Sequence, residues 1–416
     1  MDQLLAELNK RGVKLHVDEG RLEVNAPKGA LTKELREALV ANKKQLISLL
    51  SEHVLSASID TISPDIHDET RSTGAEESDA ASERQMAPSI AQPFEILETN
   101  LDLSYAWEYG STRIKLRELY NKGQRAQWLA DEALPWHLQP DLALPIGPDE
   151  MIPLRGSDIW NRMPSSQQEQ CNFEITSWTL SQFLHGEQGA LLASAQLVDS
   201  VTDLDSKLYG ASQVADEARH VDVFSRYLRE KVGLICSINP DLKTLLDLLL
   251  KDSRWDIKFL GLQIMVEGLA LSSFAMLRHS ARDPLLREIT TYIMNDEARH
   301  MAYGIISLRE YYEHQSDSFL REREDFVYEA ARLMRNRFLF REVWEKLDLP
   351  VKQCMDIALH APSQVMFRQL LFAKIVPTVK KLGLLSDRQR QRFSELGILQ
   401  FENVSDPFSE SEIGPI

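Results

Sequence analysis

Asp216-Glu217-Ala218-Arg219-His220 returns unchanged, eighty residues later, as Asp296-Glu297-Ala298-Arg299-His300. Thirty residues ahead of each motif glutamate stands another, Glu187 before Glu217 and Glu267 before Glu297. Both earlier glutamates lie in apolar, helix-compatible surroundings, Phe183-Leu184-His185-Gly186-Glu187 and Ile264-Met265-Val266-Glu267-Gly268. An internal repeat that includes its spacing says more about a fold than either motif alone.

The spacing has a geometric meaning. From Glu267 to Ser280 is 13 residues, about 20 Å of helix at 1.5 Å per residue. Asp283-Pro284 is a helix cap followed by a first-turn residue, and 13 further residues return the chain to Glu297. Glu267 and Glu297 therefore face each other at one level of an antiparallel helix pair. Glu187 and Glu217 do the same about a turn near Thr202-Asp203. Apolar periodicity close to 3.6 runs through 174–199, 205–230, 255–279 and 284–312. Glu and His three residues apart share a helical face, so four helices aim four glutamates and two histidines at one point. The fold class expected is mainly α, a four-helix bundle at the centre of a larger helical domain.

A single Glu-x-x-His is ordinarily a surface ion pair. Two copies, each matched to a glutamate in an apolar helix, are a different matter, because four unpaired buried carboxylates would be very costly. Four carboxylates balance two divalent cations, and hard oxygen ligands with one imidazole each suit iron or manganese. Bundle proteins with two-metal centres use this set, one Glu from each of two helices and Glu-x-x-His from the other two. The expected metal-ligating and catalytic residues are Glu187, Glu217, His220, Glu267, Glu297 and His300. A metal-bound histidine usually donates its other ring N–H to a carboxylate. By the repeat, Asp296 is paired with His220 and Asp216 with His300. Arg219 and Arg299 read as structural ion-pair partners, and His185, off the metal face, as structural.

The 416-residue chain divides into three parts. Residues 1–55 read as an αββα module. Leu4, Leu5 and Leu8 lie on one helix face before Gly12, Val13–Val17 and Arg21–Val24 alternate about an Asp18-Glu19-Gly20 turn, and Thr32 caps a Leu-rich second helix. Residues 56–95, acidic and rich in Ser, Ala and Thr, read as a disordered linker. Residues 96–416 read as one all-α domain. The net charge of −16 argues against nucleic acid as a partner. Three scattered cysteines make no disulfide framework or thiolate site. No apolar run reads as long enough to cross a bilayer, and the N-terminus lacks signal-peptide order, so no membrane contact and a cytoplasmic setting are expected.

On these motifs, residues 174–312 resemble the ferritin-like di-iron carboxylate superfamily of oxygenases, desaturases, ribonucleotide reductase small subunits and arylamine N-oxygenases. The resemblance implies that the six residues above hold two Fe ions, with Mn as the alternative in one site, and that O2 is the co-substrate. Two departures narrow it. The radical-storing reductase subunits place Tyr four residues after the first motif His, where this chain has Phe224. The arylamine N-oxygenases place a third His where this chain has Ile293. Residues 1–55 resemble the tubulysin-synthetase-type N-terminal docking domain, on the αββα order, Gly20-Arg21-Leu22 and Ala26-Pro27-Lys28-Gly29-Ala30-Leu31-Thr32. That implies a partner, a carrier protein or nonribosomal peptide/polyketide synthetase subunit, captured at the hairpin.

Together these parts imply an O2-dependent tailoring enzyme that hydroxylates or desaturates an acyl, aminoacyl or polyketide chain held on a carrier protein. No flavin or iron–sulfur motif is present, so a separate reductase or ferredoxin is the expected electron donor. N-oxygenation of an amine, ferroxidase activity and a non-enzymatic scaffold are the alternatives, and a homodimer is among the oligomeric states left open. Gly186, Gly189, Ala190, Gly268 and Ala270 leave space beside the two lone glutamates and are expected to line a substrate passage.

Overall fold

Asp203 and Asp283 each turn the chain back on itself. Asp203 accepts a hydrogen bond from the backbone of Ser206, and Asp283 from Leu285 and Leu286, so each satisfies N–H groups that a helix start leaves unpaired. Tyr227 adds a hydrogen bond to Asp283 at 2.5 Å. In the computed structural model, residues 14–18, 21–25, 32 and 95–404 are described. The chain divides into two compact units, 1–90 and 91–416.

Within the first unit, β1 (Lys14–Asp18) and β2 (Arg21–Asn25) pair antiparallel, Leu15 opposite Val24 and Val17 opposite Leu22. This is the hairpin expected from the alternating sequence. The helices expected on either side of it, the linker, and the acidic tail from 405 onward lie outside the described residues.

The second unit is helical. Its principal helices are α1 (Ile114–Arg125), α2 (Ser165–Ser200), α3 (Leu204–Tyr227), α4 (Pro240–Lys251), α5 (Trp255–Ser280), α6 (Pro284–Tyr312) and α7 (Asp317–Asn336), followed by shorter helices up to residue 403. Helix α2 packs along α3 and α5 along α6, while α3 also meets α6 and α1. The arrangement is a ferritin-like bundle of two antiparallel pairs, as the repeat requires. Helix α1 is fixed at its start by Asp205, in the first turn of α3. Asp205 accepts from the backbone of Thr112 and Arg113 at 2.9 and 2.8 Å and from Arg117 Nε at 2.7 Å.

One expectation is corrected. Helix α5 is long and apolar enough, by length and composition, to span a bilayer. A scan for unbroken apolar runs misses it because Glu267 interrupts the middle. Its apolar surface is taken up by the bundle, where Phe259, Leu260, Leu262, Ile264, Met265 and Phe274 are fully buried. Residues 260–266 of α5 are π-helical, ending at Glu267, and α3 runs on into a second π turn at 228–232. Such widened turns are frequent beside functional sites.

Candidate metal centre

All six predicted residues meet in the bundle interior, each 5% exposed or less. They form two overlapping clusters. Glu187, Glu217, His220 and Glu297 make one, and Glu217, Glu267, Glu297 and His300 the other, each offering ligand atoms within 4.8 Å of one another. Glu217 and Glu297 belong to both. His220 turns Nδ1 toward Glu187 at 3.2 Å, Glu297 at 3.2 Å and Glu217 at 3.4 Å. His300 turns Nδ1 toward Glu217 at 3.1 Å, Glu297 at 3.2 Å and Glu267 at 4.0 Å.

The opposite ring nitrogens face the two aspartates across the repeat. His220 Nε2 lies 3.0 Å from Asp296, and His300 Nε2 lies 3.4 Å from Asp216. Both aspartates are held in turn. Arg219 bridges Asp216 at 2.5 Å and Asp296 at 3.2 Å, and Arg299 pairs with Asp296. From the segment just past α1, Gln127 donates to Asp216 and Trp128 Nε1 to Asp296, each at 2.8 Å. The Arg219 guanidinium also covers the Trp128 ring, 4.7 Å from its centre. His185 points away and bonds the Cys236 carbonyl at 2.8 Å.

Two glutamines complete the site. Gln213, one turn before Glu217, donates to Glu217 at 3.0 Å and to Glu267 at 3.3 Å, while Gln263 donates to Gln213 at 3.0 Å. The repeat places Ile293 at the position equivalent to Gln213, so the two halves of the centre differ here. The sequence signal was a Gln four residues before each of Glu217 and Glu267, the second inside the apolar run Leu262-Gln263-Ile264. Trp128 and Gln127 had no such signal, because only the path of α1 brings them in.

Electrostatics sort the glutamates into two kinds. Burial, then the Glu297 carboxylate, push Glu187 up to about 8. Burial with Glu297 and Glu217 puts Glu267 well above the usual range. Burial would also raise Glu217 and Glu297, but the imidazoles beside Glu217, and the Glu267 hydrogen bond with His300 and His220 beside Glu297, hold both below the usual range. Burial acts to lower His220 and His300, yet the surrounding carboxylates lift both well above an ordinary histidine. Without metal, the site therefore favours protons on Glu187, Glu267 and the two imidazoles, and the ionised form of Glu217 and Glu297.

The residues fit a pair of metal ions. Glu217 Oε2 and Glu297 Oε1 are buried with no hydrogen-bond partner, an arrangement costly in a dry interior. The single proton on His220 Nδ1 faces three carboxylates and can serve only one. A cation at each cluster gives every one of these oxygens a partner, and the aspartates fix the imidazole tautomer that leaves Nδ1 free.

Phe224, four residues after His220, is fully buried against Phe183 and Phe274, ring centres 5.8 and 5.9 Å away. A cavity of about 30 Å³ opens beside Glu187 and Glu267, with Gly186, Ala190 and Ala270 in its wall. The expected passage is corrected at two positions. A methyl group at Gly189 would lie 2.5 Å from Leu246, and one at Gly268 2.8 Å from Ile375, so these two glycines serve close helix packing.

Comparison with known proteins gives two kinds of likeness. Residues 1–52 match the TubC N-terminal docking domain family. Among solved structures, an R2-like ligand-binding oxidase with an anaerobically reconstituted Mn/Fe cofactor is 17% identical, with 66% of this chain and 98% of that chain covered at a TM-score of 0.39. The dimanganese(II)-NrdF of Streptococcus sanguinis is 13% identical, covering 67% and 92% at a TM-score of 0.44. No curated protein matches the chain.

Proposed function

We propose that the chain is a di-iron, O2-dependent tailoring oxygenase of a nonribosomal peptide or polyketide pathway, hydroxylating or desaturating a substrate held on a carrier protein. One observation carries the chemistry: two buried clusters of three glutamates and a histidine share Glu217 and Glu297. The docking-family match at residues 1–52 supports the carrier-bound setting.

In this reading Glu187, Glu217 and His220 would hold one ion and Glu267, Glu297 and His300 the other, with Glu217 and Glu297 common to both clusters. Two irons bound there, or iron with manganese, would supply the redox chemistry for reducing O2 and oxidising a C–H bond. Asp296 and Asp216 keep the Nε2 proton on each imidazole and so hold Nδ1 as the ligand atom. Gln213 orients Glu217 and Glu267 through its amide. Phe183, Leu242, Leu245 and Leu269 keep the cavity beside Glu187 and Glu267 apolar, which excludes bulk water from the reacting carbon. Hydroxylation consumes O2, two electrons and two protons and yields the alcohol and water, so a separate reductase or ferredoxin donates the electrons.

The test is the intact mass of a loaded carrier domain after incubation with iron-loaded protein, reductant and O2. A gain of one oxygen, or a loss of two hydrogens, is expected, and Glu297→Ala abolishes it. An unchanged carrier mass, with two irons per chain confirmed, overturns the reading.

A further inference from the structure

Among the described residues, five lysine and arginine side chains are almost fully buried: Lys258, Arg299, Arg323, Arg337 and Arg368. Four have evident partners. Lys258 donates to Gln196 and to the Leu249 and Leu250 carbonyls. Arg299 pairs with Asp296, and Arg323 with Asp256 at 2.9 Å. Arg368 donates to the Ala358 and Leu359 carbonyls. Arg337 stands apart. It makes no hydrogen bond or ion pair among the described residues, its Nε is buried and unpaired, and burial alone lowers its affinity for a proton.

Arg337 follows the end of α7 and lines the cavity that contains Glu187 and Glu267. The ring of Phe338 covers one face of its guanidinium, 4.7 Å from the ring centre, which leaves the N–H edge as its binding surface. The rest of the wall is mainly apolar, with Phe183, Leu242, Leu245, Val266, Leu269 and Met334. A buried guanidinium without a counter-ion is strongly unfavourable, and its fork of donors matches a planar carboxylate. One guanidinium in a small apolar cavity beside two glutamates suits a monoanion, and it is a poor match for a phosphate dianion.

We infer that Arg337 is the anchor for a carboxylate on the substrate, so that the enzyme acts on an acid whose apolar segment lies in the cavity between that anchor and the Glu187/Glu267 face of the metal centre. This rests on the di-metal reading above. A chain loaded on a carrier has already used one carboxyl in the thioester, so the anchored group is then a second carboxylate.

Calorimetric titration of the full chain with formate, acetate and propionate, against the corresponding primary amides, tests this. The acids are expected to bind and the amides not. In Arg337→Met the acid affinity falls about 10- to 100-fold, the range expected on losing a charge-assisted hydrogen-bond pair, and Arg337→Lys recovers part of it. Equal binding of acids and amides, no binding of either, or an acid preference retained in Arg337→Met overturns the inference. If Arg337→Met does not fold, the acid-against-amide comparison on the natural chain still decides. Metal content is measured on the same samples. Two metal ions per chain without acid-selective binding overturns the anchor alone, whereas acid-selective binding on a chain that takes up no metal leaves the anchor and overturns the di-metal reading.

Discussion

His220 on α3 places Nε2 3.0 Å from Asp296 on α6, so an imidazole of one half of the repeat is oriented by the other half. Asp296 is itself held by Trp128, Arg299 and Arg219. Asp296→Asn keeps the shape but removes the charge that favours the Nε2–H tautomer. Metal affinity is expected to fall 10- to 100-fold, about the usual cost of losing such a partner. Competition against a chelator measures it. Asp216→Asn should cost less, because its contact to His300 is longer at 3.4 Å. An unchanged affinity in Asp296→Asn would show that the aspartate serves its Trp128 and arginine partners and does not set the imidazole.

Metal uptake should be steeply pH-dependent. Ligation requires ionised Glu187 and Glu267 and neutral imidazoles, and the metal-free site raises the proton affinity of all four groups. Loading therefore releases protons and tightens as pH rises. The metal-free chain moves the other way. A glutamate raised to about 8 contributes stability that is complete below its ordinary value of 4.5 and is lost as pH climbs through about 8. Melting temperatures with and without metal should diverge across that window. A gap that stays constant with pH would contradict the protonation pattern.

Gln213→Leu tests the amide network. The change removes donors to Glu217 and Glu267 and strands the Gln263 amide, each group deep in the bundle. Destabilisation of the metal-free protein by about 1–3 kcal/mol is expected, the cost of leaving buried polar groups unpaired. Thermal or denaturant unfolding checks it, and a loss under about 0.5 kcal/mol would mean that water replaces the amide.

Glycine substitutions separate open space from close packing. At Gly304 a methyl group would meet Gln263 Cβ at 2.5 Å, an atom that cannot swing away, whereas at Gly186 nothing lies within 4 Å. Gly304→Ala is expected to destabilise by about 1–3 kcal/mol, and Gly186→Ala to be neutral or stabilising by up to about 1 kcal/mol through helix propensity. Unfolding midpoints for the pair give the comparison.

The repeat made the bundle and the six-residue cluster legible, because a 30-residue return and an i, i+3 pair convert directly into positions in space. The helices carrying that cluster also announced their turns, through Asp203 and Asp283. Groups delivered by tertiary packing were not legible. Trp128 reaches Asp296 only because Asp205 fixes the start of α1, and Arg337 enters the cavity from a helix unrelated to the repeat. The π-helical stretch 260–266 has no local sequence mark, and small residues at 189 and 268 read the same whether they border a channel or admit a neighbouring side chain. Leu246 and Ile375 decided that in favour of packing.

Removing residues 1–55 tests what the docking module contributes. The helical unit 91–416 has its own core and carboxylate–histidine cluster, so its chemistry should survive the deletion. Docking of a partner to this module raises the local concentration of the carrier to around mM. At carrier concentrations well below that, turnover of the carrier-bound substrate should fall about a hundredfold or more, the lower end of what such tethering supplies. At saturating carrier kcat should be unchanged, and so should turnover of a free small-molecule analogue. Steady-state kinetics on both substrates measures this, with the loss confined to KM for the carrier. If KM is the same with and without residues 1–55, the module does not deliver the substrate. If kcat falls as well, the module contributes to the chemistry itself.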